Sequence, residues 1–133
     1  MVGIVCHSEG YYNQTTGNYS HAQNANNLVN GIASHGGGSG NTVNGNASFV
    51  HSIGSYILPD PGGDVGPSNV ILGGQNNTIT GNSITNTTIL GGNNIVAKLS
   101  NTVYVPDLVI NSTFVPSKML KNTQKYSILL RFT

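Results

Sequence analysis

Residues 3–58 fall into four segments that begin with glycine and keep one register: GIVCHSEGYYNQTT, GNYSHAQNANNLVN, GIASHGGGSGNTVN and GNASFVHSIGSYIL. The first position holds Gly3, Gly17, Gly31 and Gly45; the fourth holds Cys6, Ser20, Ser34 and Ser48; the fifth holds His7, His21, His35 and Phe49. A 14-residue unit is too short for a helical hairpin, and although it equals two heptads it carries no apolar coiled-coil seam. It suits one coil of a solenoid, with two short strands and two turns, stacked in parallel on the next coil at about 4.8 Å per repeat. Equivalent residues then line up in columns. Asparagine and serine side chains can pair along such a column, and glycine or asparagine at the corners supplies the positive φ of a tight turn.

Composition points the same way. Charged residues make up 7 % of the 133, against about 25 % in ordinary soluble domains, and asparagine outnumbers even the 18 glycines. Gly, Asn, Ser and Thr all disfavour helix interiors, so the expected class is all-β. A net charge of only +1 and regularly recurring Val, Ile and Leu set the chain apart from disordered segments. The single cysteine, Cys6, excludes an internal disulfide and reads as a small buried hydrophobe of the first coil. The opening MVGIVCHSEGYY has neither the basic start nor the apolar run of a secretory signal, and no membrane insertion is expected. A charge near zero likewise predicts no nucleic-acid partner.

Such a coil has only Ala, Ser, Gly, Val and Ile to fill its interior. Their burial cannot offset a chain entropy of about 1–2 kcal/mol per residue, so sister chains are expected to cover the outside, two or three solenoids closing into a ring.

The period breaks at PDPGGDVGP (59–67), whose turn chemistry predicts either a bulging loop or a joint between two sections of roll. It resumes in a more apolar form, since Gly73-Gly74, Asn77-Thr78-Ile79 and Gly81-Asn82 echo Gly37-Gly38, Asn41-Thr42-Val43 and Gly45-Asn46. TTILGGNNIVAK (87–98) is a third echo. The chain thus divides into regular repeats (1–58), the Pro/Gly-rich insertion (59–67), a second repeat section (68–110) and a C-terminal cap or docking segment (111–133). SNTVYVPDLVINSTFV (100–115) alternates as ordinary strands do, and the end carries Lys118, Lys121, Lys125 and Arg131 without a balancing acid.

At SHAQN, CHSEG and SHGGG the chain resembles the Ser-His-Ala-Glu-Gly repeat of YadA-like head domains of trimeric adhesins and of phage tail fibres. LGGQNNTITGN and NTVYVPDLVI resemble the Gly-Gly-x-Asn-Asn repeats and closing segment of the same fibre heads. The resemblance implies an all-β, left-handed parallel β-roll, an intertwined homotrimer that serves as an adhesive or spacer segment. Phe49 and Cys6 depart from the repeat, and the 59–67 insertion limits rung-by-rung carry-over to about residue 58. Neither a coiled-coil stalk nor a membrane anchor is visible. A virion tail fibre is therefore expected ahead of a bacterial surface adhesin, with a host glycan or protein as receptor and other virion proteins docking through 111–133. A structural spacer or assembly protein is the alternative.

Titratable groups do not converge. Glu9, Asp60, Asp64 and Asp107 are the only acids and are scattered, so neither catalysis nor a cofactor is expected. The GGQNN and GGNNI turns lack the aspartate of calcium-binding β-rolls, and TITGNSITNTT lacks the uniform threonine face of an ice-binding surface. His7, His21 and His35 share a column that three chains would bring together near their axis. Such a column could hold a metal or anion, but stacked imidazoles at a subunit interface explain it without a ligand, and no metal is assigned. Candidate receptor contacts are Tyr11, Tyr12 and Tyr19 at the coil edges, and Asp60 and Asp64 on the inserted loop.

Overall fold

The computed structural model describes residues 2–59 and 66–107. Along the chain run β1 (His7–Ser8), β2 (Gln14–Thr15), β3 (His21–Ala22), β4 (Leu28–Val29), β5 (His35–Ser39), β6 (Thr42–Val43) and β7 (Phe49–Ile53). They continue with β8 (Tyr56–Leu58), β9 (Val70–Gln75), β10 (Thr78–Thr80), β11 (Thr88–Leu90), β12 (Val96–Ala97) and β13 (Val103–Tyr104). No helix occurs among the described residues. Odd-numbered strands form one seven-stranded sheet and even-numbered strands a six-stranded sheet, each in chain order. Every pairing is parallel. The chain is a parallel β-solenoid of about seven turns, each passing once through both sheets.

Register follows the sequence columns. His7 pairs with His21, His21 with His35, His35 with Phe49, Phe49 with Val70, Val70 with Thr88 and Thr88 with Val103. Both sheets therefore continue past the 59–67 region, through β7–β9, with a register shift between His51 and Ile53, and through β8–β10. Of SNTVYVPDLVINSTFV, residues 108–115 lie outside the described residues; in the remainder β13 alternates, Val103 outward and Tyr104 inward, as a parallel rung of the first sheet.

Because strand side chains alternate between faces, each strand sends one residue inward at the paired position, the longer β7 also turns Ser52 in, and the paired positions form two files. In the first sheet these are Ser8, Ala22, Gly36, Val50, Ile71, Ile89 and Tyr104; in the second, Thr15, Val29, Val43, Ile57, Ile79 and Ala97. The interior is narrow throughout and narrowest over the first three rungs, where serine, alanine and glycine face threonine and valine.

Two polar ladders flank these files. At one corner the Asn13 Oδ1 accepts from the Asn27 amide N–H at 2.9 Å, Asn27 Oδ1 from Asn41 N–H at 3.0 Å, and Asn41 Oδ1 from Ser55 N–H at 2.9 Å. Ser55 Oγ then accepts from Asn77 N–H, and Asn77 Oδ1 from Ile95 N–H. At the other, the Ser34 hydroxyl accepts from Ser48 N–H, Ser48 Oγ from Asn69 N–H, and Asn69 Oδ1 from Thr87 N–H. Each ladder satisfies turn amides that a buried corner would otherwise leave unpaired. Cys6, in the same sequence column as Ser20 and Ser34, is half-buried rather than a buried hydrophobe, its thiol donating to the Gly3 carbonyl at 2.9 Å.

Glycine and asparagine do supply positive φ at one corner, at Asn26, Gly40, Gly54, Asn76 and Asn94, but the glycines that open the repeats, Gly3, Gly17, Gly31 and Gly45, do not. A Cβ on Gly17 would run into the Gly31 carbonyl, and one on Gly31 into the Gly45 carbonyl, so their absent side chains permit rung-to-rung contact. At the corner of these repeat glycines the left-handed residues are Val5 (φ 50°), Tyr19 (58°), Ala33 (53°), Ala47 (48°), Ser68 (64°), Asn86 (53°) and Asn101 (57°). A second left-handed column is Tyr12 (51°), Asn26 (56°), Gly40 (69°), Gly54 (59°), Asn76 (53°) and Asn94 (59°), and a third holds Gly10 (96°), Asn24 (73°), Gly38 (87°), Gly74 (81°) and Gly92 (87°).

Candidate functional site

Since Ala22 and Gly36 point inward, the neighbouring His21 and His35 point out, and the first sheet presents its imidazoles on its outer face. The expected column is present. Ring centroids lie 4.8 Å apart for His7–His21 and 5.0 Å for His21–His35, and Phe49 stacks on His35 at 4.6 Å with 9° between planes. Phe49 thus extends the column instead of ending it. His51, two residues further along the same strand, lies parallel to His35 at 6.1 Å and was not anticipated. Its signal was the two-residue alternation from Phe49.

Around these rings there is little charge. Glu9 Oε1 sits 3.7 Å from His21 Nε2, too long for a hydrogen bond and an ion pair only when the imidazole is protonated. The Nε2 atoms of His21 and His35 are buried without a hydrogen-bond partner. Burial first, and the proximity of His21 and His51 second, push the His35 pKa below its ordinary 6.5, so this ring favours the neutral form. Gly37 lies between His35 and His51, and a Cβ there would meet both rings. No group of three or more His, Cys, Asp or Glu among the described residues is placed to hold a metal.

Toward the C-terminus the same outer face turns aliphatic. His51 pairs with Leu72 and Leu72 with Leu90, and these leucines are 45 % and 43 % exposed. On the second sheet's outer side the Thr16 hydroxyl donates to Asn30 Oδ1 and Asn30 Nδ2 to Asn44 Oδ1 at 2.8 Å, and Tyr56 and Val96 stand exposed beyond this ladder.

The tyrosines separate into two places. Tyr11 and Tyr12 meet edge-to-face at 4.1 Å at one corner of the first rung, 63 % and 73 % exposed. Tyr19 stands exposed in the other corner column, its N–H bonded to the Ile4 carbonyl. Both Tyr12 and Tyr19 hold left-handed backbone, which costs a non-glycine residue about 1–3 kcal/mol. Asp60, Asp64 and the 111–133 docking segment lie outside the described residues.

Compared with protein-family models, with curated proteins and with solved structures, the chain matches none. The class that the fold defines is the parallel β-solenoid.

Proposed function

We propose that this chain is a non-enzymatic segment of a homotrimeric fibre, a phage tail fibre or tail-tip protein, whose left-handed 14-residue coils carry host-surface attachment. The observation behind this reading is a mismatch between inside and outside. The buried apolar core is narrow and consists of Ala22, Val29, Val43, Val50, Ile57, Ile71, Ile79, Ile84, Ile89 and Ala97, while Ile53, Leu72, Leu90 and Val103 stand on the outer side of the first sheet. A face of stacked rings and leucines with Glu9 as its one charge among the described residues is the surface that sister chains would cover. The resemblance to YadA-like heads supports three copies and an adhesive role.

The test has two parts. Light scattering on the unboiled protein should give three times the 13.8 kDa chain mass, and a folded monomer overturns the reading. Deleting residues 59–67 or replacing the tyrosines should reduce adsorption to host cells while the assembly persists. A structural spacer is the second reading, favoured by the continued pairing of both sheets past residues 59–67. Full adsorption by every such variant selects it.

A further inference from the structure

Tyr12 breaks a rule that its own column otherwise keeps. In register below it stand Asn26, Gly40, Gly54, Asn76 and Asn94, each of a residue type that tolerates left-handed backbone. A bulky aromatic is the wrong residue for that corner, and at 73 % exposure it repays nothing to the core. Its ring contact is with Tyr11, itself 63 % exposed. Backbone strain with no structural return points to a surface role.

The chemistry of the corner selects the partner. An edge-to-face pair leaves an aromatic face open, which suits the C–H face of a pyranose; Asn26, whose backbone N–H bonds the Tyr11 carbonyl, stands in register with Tyr12, and Gln14 follows two residues on, both of them amides suited to hydroxyl groups. Two rings are too small to anchor a protein interface of about 800 Å² per partner. Charge argues against acidic sugars: Lys98 is the only Lys or Arg among the described residues and lies in the last rungs, whereas Glu9 is two residues from Tyr11. We infer that the Tyr11–Tyr12 corner binds an uncharged saccharide of the host surface. The inference rests on the attachment reading and deepens it. One such corner binds weakly, and repetition on three chains of one rigid assembly supplies avidity.

The test is a printed array of neutral, sialylated and uronic-acid oligosaccharides, read with the wild-type assembly and the variants Tyr12→Asn, Tyr12→Phe and Tyr11→Ala. Wild type should retain neutral saccharides above acidic ones. Tyr12→Asn restores the column's own residue type, so it should melt no lower than wild type and keep the assembly mass while losing neutral-saccharide binding at least tenfold. Tyr12→Phe should stay within a few-fold of wild type, and Tyr11→Ala should lose binding. A drop in assembly mass on Tyr12→Asn makes the tyrosine a subunit contact and overturns the proposal, as does undiminished array binding. Wild-type protein that adsorbs to bacterial cells but to no neutral saccharide overturns the saccharide and leaves attachment standing; wild-type protein that does neither overturns both.

Discussion

At the scale of single residues, the imidazole column and the asparagine ladder make opposite demands on polarity. His35 prefers to be neutral because burial and two neighbouring imidazoles oppose its charge. Its folded-state pKa lies below the unfolded value, so the unfolded chain binds more protons in that window. Stability is then fully present above about pH 6.5 and is lost as pH falls through the lowered folded value. Thermal melts from pH 7.5 to 5 should show this decline, and His35→Phe, which repeats the ring already stacked there as Phe49, should flatten it. An equal slope in both proteins would refute the coupling. Asn41 is the contrasting case. Its Nδ2 donates to the Gly37 carbonyl at 2.7 Å and the Ser52 carbonyl at 2.8 Å, while its Oδ1 serves Ser55 N–H and the Ser52 hydroxyl. Asn41→Ala should cost about 3 kcal/mol by denaturant unfolding, because several buried groups lose partners at about 1–3 kcal/mol each. Asn46→Ala should cost about 1 kcal/mol or less, since this exposed side chain accepts one bond, from Ile32 N–H. The serine, histidine and asparagine columns were legible in the sequence because identity repeats at fixed spacing. The left-handed corner of Val5, Tyr19, Ala33 and Ala47 was not, because these residues carry no glycine signature, and close rung contact, not φ, is what selects the repeat glycines.

At the scale of the rung, the unit of stability is a turn of chain together with its two neighbours. Removing residues 17–30 would bring Gly31 onto Gly3, His35 onto His7, Asn41 onto Asn13 and Val43 onto Thr15, leaving every column intact. That deletion should fold, with the same far-UV signature per residue and a melting temperature several degrees lower. Removing residues 17–29 instead offsets every later column by one, turning His35 inward and Val43 outward, so it should not fold. If both behave alike, register is not what holds the coils together. Sequence repetition exposed the first four rungs by strict spacing and the next two through their Gly-Gly-Asn echoes, whose Thr78 and Ile79 stand in the columns of Thr42 and Val43. Once Phe49 pairs with Val70, Val70 with Thr88 and Thr88 with Val103, the spacing changes at each step, and sheet pairing constrains strand positions while leaving the connecting loops free in length. β13 in particular lacks the Gly-Gly-Asn phrase, and inward Tyr104 substitutes for the isoleucines above it by packing against the core's end.

At the scale of the whole molecule, the decisive quantity is how much apolar surface one chain leaves uncovered. Inside, the first rungs offer little more than Ala22, Val29 and Val43; outside, the face running from the imidazoles to Leu72 and Leu90 has Glu9 as its only charge among the described residues of β1 to β11 and their flanks. If sister chains cover that surface, opposite so narrow a core, folding is tied to association. Stability should then depend on protein concentration, the melting temperature falling by a few degrees with each tenfold dilution, as for any native state held together by its partners. Replacing Leu72 and Leu90 together by lysine places two charges per chain on that face and removes no buried core residue. If sister chains cover the face, the double variant should lose the assembly mass in light scattering, and the resulting monomers should melt far lower or not fold, because desolvating those ammonium groups at an interface is prohibitive. If the face is free in the native protein, the same lysines are ordinary solvated side chains on an exposed sheet, and mass and melting temperature should both stay where they were.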